Sequence, residues 1–143
     1  MNDLEAVRRK KRAGIMREVK RGDKTKICIP TMGNAGLDDR VSQHFGRAPT
    51  FTVVGMVTKE VKVLENKSEH FGGVGSPPEI VSNEGVDVLL CSGLGPRAIG
   101  MFEQLGIEVY VGVSGTVRDA IKAFQAGMLR EATDKDACKM HRH

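Results

Sequence analysis

Apolar residues come along this chain in short bursts separated by turns rich in glycine and proline. Positions 26–30, Lys-Ile-Cys-Ile-Pro, read as a short buried strand that Pro30 stops, because proline has no N–H to give a ladder. A polar, glycine-bearing loop follows to about Pro49. Positions 51–57 read as a second strand and 60–65 alternate polar with apolar, with Thr58 and Lys59 as the tight connection. This pair predicts a hairpin with one buried and one wet face. A loop rich in glycine, serine and proline then runs from Asn66 to Pro78.

From Pro77 the pattern turns helical through Glu84, with proline suited to the first turn and Gly85 to the stop. An apolar strand at 86–91 is followed by Ser-Gly-Leu-Gly-Pro and a helix from Arg97 to about Leu105. A strand at 107–111 is followed by Gly-Val-Ser-Gly-Thr and a helix over 117–126. In the last helix Val117, Ala120, Ile121 and Phe124 fall at i, i+3, i+4 and i+7, one apolar stripe, and Thr116 reads as its N-cap. Strand, turn and helix repeated in this way predict an α/β domain with a mostly parallel sheet, made mixed by the first hairpin. The sequence from Glu131 onward is polar and reads as a tail.

Length and composition narrow the class. A chain of 143 residues is one ordinary domain and buries enough surface to fold without a staple. Aromatic residues are only 4%, so Val, Ile, Leu, Met and Ala must build the core. No apolar run nears the ~18 residues a membrane helix needs, and the charged first 26 positions lack a signal peptide's apolar middle. Three cysteines without disulfide spacing fit a reduced, cytoplasmic setting. The net charge of +4 is unevenly placed. Residues 1–26 hold ten lysines and arginines against four acids, while the remainder is slightly acidic. Residues 1–25 are therefore a basic extension, with a ragged stripe of Leu4, Val7, Ile15 and Val19 broken by Gly14. Such an arm is either a solvated appendage or an electrostatic handle for nucleic acid or an acidic partner. It holds none of the stacking aromatics that nucleic-acid modules interleave with their basic residues.

Candidate chemistry gathers where α/β sheets bind ligands, beyond the carboxyl ends of the parallel strands. The segment Val-Ser-Gln-His-Phe-Gly-Arg-Ala, 41–48, places His44 and Arg47 in the first such loop, after the glycine-bearing approach at 33–36. The loops after Cys91 and Val111 bring the amides around Gly93, Gly95 and Gly115, and N–H groups at such turns favour anions. Each feature also has a plain structural reading: a turn-satisfying histidine, and glycines that let strand and helix pack closely. Cys28 sits in mid-strand and reads as a small core hydrophobe. Cys91 ends a strand beside a glycine turn, where a helix dipole would favour its thiolate, or it is simply core. The end of the chain holds Cys138, His141 and His143 with Asp134 and Asp136 upstream, a soft donor set for a transition metal or a disordered tail.

Four stretches in this order and spacing resemble the dinitrogenase iron–molybdenum cofactor-binding family, which includes NifX-like carriers and the C-terminal domain of NifB-type proteins. They are the entry segment from Ile-Cys-Ile-Pro through 37–49, the run 84–96, Leu-Gly-Ile-Glu-Val-Tyr at 105–110, and Gly-Val-Ser-Gly-Thr-Val-Arg-Asp-Ala at 112–120. The resemblance covers about residues 26–130. It implies a three-layer α/β/α fold of ribonuclease-H type with a five-stranded mixed sheet. It also implies a small non-catalytic carrier or scaffold of an iron–sulfur or iron–molybdenum–sulfur cluster, with donor and acceptor proteins as partners. The family's His-Phe-Gly histidine is linked to cofactor binding, a role that falls here on His44. His70, in the long loop, is a further candidate ligand or a solvent-facing residue. The basic extension and the tail, 131–143, lie outside the resemblance.

Residue types test that implication. Sulfide clusters take cysteine thiolate first and imidazole second. The chain has no Cys-x-x-Cys pair and no four-cysteine set, so a permanent, fully protein-ligated cluster is not expected. A pre-assembled anionic cluster held by one or two ligands, amides, Arg47 and Arg97 fits better. Two other classes compete. A two-metal nuclease needs gathered carboxylates, yet the first strand carries none, and Asp38, Asp39 and Asp87 make a poor set. An enzyme using His44 as a base lacks an evident nucleophile or orienting carboxylate. An adaptor working through residues 1–25 is the alternative to the carrier.

Overall fold

The computed structural model describes residues 25–67 and 75–132. In chain order the elements are β1 (Lys26–Thr31), β2 (Thr50–Gly55), β3 (Val61–Glu65), α1 (Pro77–Asn83), β4 (Val88–Leu90), α2 (Pro96–Gln104), β5 (Glu108–Val111), α3 (Val117–Gln125) and β6 (Arg130–Glu131). They form one six-stranded mixed sheet in the order β3-β2-β1-β4-β5-β6. β1, β4 and β5 run parallel, and β1–β2, β2–β3 and β5–β6 pair antiparallel.

The expected five strands are therefore six. β6 is only Arg130–Glu131, paired as Val111↔Arg130 and Tyr110↔Glu131, and Ala132 then donates its N–H to Val109 O at 2.8 Å. Two charged residues carry no apolar alternation to read. The open edge of β5 recruits their backbone. β1 also runs on through Pro30 to Thr31. Cys28 is the last β1 residue in register with β4, so Pro30 lies past that ladder, where its carbonyl accepts from Ser42 N at 2.8 Å. A proline there costs no strand pairing.

Alternation along the strands splits the interior into two cores. On one face Cys28, Phe51, Val53, Leu89, Cys91 and Val109 pack with Val81 of α1 and Ile99 and Phe102 of α2. On the other Ile27, Ile29, Val54, Val88, Leu90 and Tyr110 pack with Val117, Ala120 and Phe124 of α3. Helices thus cover both faces of the sheet. The chain leaves β1 toward β2 and leaves β4 toward β5, so the carboxyl ends of these neighbours diverge and open a crevice. No helix of the described residues is long and apolar enough to cross a membrane.

Candidate functional site

The loop from Met32 to Pro49 crosses the end of the sheet. Leu37 and Val41 pack against the α3-side core, and Phe45 and Ala48 are buried in the other. Its first turn closes on the chain's own carboxylate. Asp39 Oδ2 accepts from Gly33 N at 3.0 Å and Ala35 N at 3.1 Å, and Oδ1 accepts from Arg40 N at 2.8 Å. The glycine-bearing approach is occupied from within. Beneath it lies a buried hydroxyl chain. Thr50 donates to Gly33 O at 2.7 Å, and Thr31 lies 2.6 Å from Thr50 and 2.9 Å from Thr52. Each hydroxyl has one proton, so the chain runs Thr52 to Thr31 to Thr50 to Gly33.

The second turn carries the chemistry. Phe45–Arg47 form a short 3-10 turn preceded by His44 in extended conformation. Phe45 is buried, its ring 5.3 Å from Phe51 and 5.3 Å edge-on from Phe102. His44 and Arg47 flank this anchor and are exposed. Two small bonds tie the approach: Ser42 Oγ donates to His44 O and accepts from His44 N, both at 3.3 Å. The strongest clamp comes from the exit of β3. Asn66 is 5% exposed, and its amide donates to Gly46 O at 3.1 Å and to Ala48 O at 2.8 Å. Asn66 was not legible as a site residue, since an asparagine at the head of a polar loop carries no sign of its distant partners.

This turn forms one wall of an open cleft of about 900 Å³. The first turn of α1, Ser76–Pro78, and the segment Gly93–Met101 complete the lining. His44, Arg47, Gly93 and Gly95 meet here with Arg97, and among the described residues no carboxylate lines the cleft. Gly46, Gly93 and Gly95 have open space where a Cβ would stand, so side chains there would project outward instead of packing. α1 and α3 begin in full capping boxes, Ser76 with Glu79 and Thr116 with Asp119, which bears out the Thr116 cap. α2 begins on Gly95 with no side-chain cap and with proline in its first turn. The N–H groups of Gly93, Leu94, Gly95, Arg97 and Ala98 meet no acceptor among the described residues.

Two expected members stand elsewhere. Cys91 is buried in the core rather than on the cleft, and its thiol points at Tyr110 O, 3.8 Å away. Burial pushes it up to about 12, so it is a neutral thiol and the dipole-stabilised thiolate does not form. Cys28 is raised further still, first by burial and then by Cys91 and Glu84, as its core reading requires. Gly115 also lies off the cleft. Its carbonyl accepts from Val41 N at 2.9 Å, and its φ of +86° is a conformation that suits glycine. A side chain there would run into the Asp119 carboxylate that caps α3. His44 is the sole histidine of the described residues; His70, Cys138, His141 and His143 lie outside them. No group of three His, Cys, Asp or Glu side chains able to hold a metal exists among the described residues. The nuclease reading loses its acids: Asp39 is spent on backbone, Asp38 pairs with Arg118 at 3.4 Å, and Asp87 accepts from Lys26 N at 3.0 Å.

Comparison with known proteins agrees with the motif order. MJ0580, an uncharacterized protein of Methanocaldococcus jannaschii, is 33% identical over 111 residues, spanning 74% of this chain and 90% of that protein. The apo form of the orange protein from Desulfovibrio gigas superposes with a TM-score of 0.68 at 27% identity, covering 78% of this chain and 95% of its own. A putative NifB protein from Thermotoga superposes with a TM-score of 0.63 at 32% identity, covering 75% of this chain and 92% of its own. The family described as dinitrogenase iron-molybdenum cofactor matches residues 25–127, the whole sheet except β6 and all three helices. With its motifs, its sheet and this match in agreement, the chain belongs to the dinitrogenase iron–molybdenum cofactor family.

Proposed function

We propose that the protein carries an anionic metal–sulfur cluster, of iron–sulfur or iron–molybdenum–sulfur type, in the cleft between His44 and α2. The observation that carries this reading is the lining among the described residues: two guanidinium groups, one imidazole, a run of unpartnered amides, and no carboxylate. A sulfide-rich cluster is anionic and polarisable. Arg47 and Arg97 offset its charge, the amides of α2's first turn donate to its edge, and Leu94 and Met101 give an apolar floor. Among the described residues, His44 offers the imidazole donor suited to a metal on this lining. Among the described residues no thiolate lines the cleft, so the cargo brings its own sulfide ligands and is held by one protein bond plus charge. That is the behaviour of a carrier that must release what it binds. The adaptor reading rests on residues 1–25, of which 1–24 lie outside the described residues.

Anaerobic incubation of the purified chain with ferrous iron and sulfide, with and without molybdate, tests the reading after desalting, by visible absorption and metal analysis. The expected result is a retained chromophore that His44→Ala weakens without lowering thermal stability. Gly95→Asp is the sharper variant. It supplies the missing cap to α2, which stabilises the helix by about a few tenths of a kcal/mol, and sets a carboxylate against the cargo. Uptake should fall while stability holds or rises. No uptake under any condition, or uptake indifferent to both substitutions, refutes the assignment.

A further inference from the structure

We infer that the opposite face of the sheet carries a second site, a docking groove for an acidic and aliphatic segment of a partner protein. A groove of about 240 Å³ runs between α3 and the β2–β3 hairpin. Its floor is apolar, with Met56, Val61 and Ile121, and its rim is cationic, with Lys59, Arg118 and Lys122. The helical side follows a stripe of its own. Arg118, Ile121, Lys122 and Gln125 fall at i, i+3, i+4 and i+7, beside the stripe of Val117, Ala120 and Phe124 that is spent on the core.

The hairpin side is unusual in two respects. Val57 and Val61 remain 53% and 39% exposed, two of the few large apolar side chains left in water. Lys59 has φ +65°, the sole non-glycine residue with positive φ among the described residues. Glycine would take this turn position without steric cost, yet a lysine stands there and lines the groove.

Charge selects the occupant. Arg118 shares its guanidinium with Asp38 at 3.4 Å, and Asp38 is the acid that faces this end of the groove. Neither Lys59 nor Lys122 forms an ion pair among the described residues. Thr25 O accepts from Met56 N at 3.0 Å, which ties the start of β1 to the groove floor. A partner must therefore bring acids for the rim and one or two aliphatic side chains for the floor. Nucleic acid supplies the first and not the second, and among the described residues the groove has no aromatic ring on which a base would stack. The groove and the cleft lie on opposite faces, so a docked partner leaves His44 open. The inference does not depend on what the cleft holds.

The test uses the full chain and a fluorescein-labelled twelve-residue peptide of glutamate and leucine, read by anisotropy, with amide shifts mapped by NMR. Comparison probes replace leucine by serine, replace glutamate by lysine, or use a twelve-nucleotide single strand of DNA. The expected result is binding of the glutamate–leucine peptide, with shifts at 56–61 and 118–125. Lys59→Glu combined with Lys122→Glu should weaken binding about tenfold at low salt. Both residues are exposed, so the fold survives, and the basic extension is unchanged in this variant. Binding indifferent to the double reversal assigns it to residues 1–24 and overturns the groove. Equal binding of the serine peptide or of DNA overturns the apolar contribution, and shifts confined to 43–47 and 93–98 overturn the placement.

Discussion

Removing the amide of Asn66 should loosen the turn that carries His44 and Arg47. In the native fold its two N–H groups satisfy Gly46 O and Ala48 O at 3.1 and 2.8 Å. Ala48 is fully buried, whereas Gly46 lies partly in solvent. In Asn66→Ala water can replace the amide at Gly46, but not at Ala48. A lost neutral hydrogen bond costs about 0.5–1.5 kcal/mol and a stranded buried carbonyl about 1–3 kcal/mol. The expected loss is thus about 1.5–4.5 kcal/mol, most of it from Ala48. Asn66→Asp keeps the shape but points carboxylate oxygens at two carbonyls. It should be at least as damaging at neutral pH and partly rescued in acid, where the protonated group donates once. Denaturant unfolding with an unchanged slope measures the stability. Amide exchange at Arg47 and Ala48, which donate to His44 O and Phe45 O, reports the turn itself. A loss below about 0.5 kcal/mol in Asn66→Ala, with native exchange at those two amides, would refute the clamp.

The buried thiols predict alkaline behaviour. Burial raises Cys91 from the ordinary value near 9.0 up to about 12, so its contribution to stability is full below pH 9 and lost as pH climbs through that window. The Cys28→Ala, Cys91→Ala double variant should flatten the alkaline fall, and a thiol reagent at pH 8 should label these positions only on unfolding. Wild-type labelling of Cys91 at the rate of a free thiol would contradict its burial. On the acid side, Asp119 is held below its usual range, first by the backbone N–H of Thr116 and then by the hydroxyl of Thr116. A lowered carboxyl stabilises above its unfolded value of about 4 and loses that contribution as pH falls through its folded value. Protection of the first turn of α3 should fade in that range, and Asp119→Asn should remove the pH dependence.

Much of this architecture is local in origin and so was readable from the chain. Ile27 and Ile29, Val88 and Leu90, and the stripe of Val117, Ala120 and Phe124 bury one face each because side-chain direction follows a period of 2 or 3.6. Ser76 and Thr116 are legible caps because the bonds they make span three residues. His44, Arg47, Gly93 and Gly95 were legible for a different reason: their loops follow parallel strands, whose carboxyl ends must lie together.

What tertiary structure alone decided depends on partners far apart in sequence. β6 exists because β5 offers an open edge, and Pro30 stays in β1 because its neighbour strand has already ended. Cys91 and Gly115 flank the right turns, yet one faces the core and the other serves Val41 N. Asn66 gains its role only when the exit of β3 comes against the turn of Phe45–Arg47. The groove of Lys59, Arg118 and Lys122 joins residues about 60 positions apart. The sequence by itself determined the helices, the strands other than β6 and the family, since these follow from spacing along one backbone. Which side chains share a cleft was decided by packing, because a strand turned by one residue sends the same side chain to the opposite face.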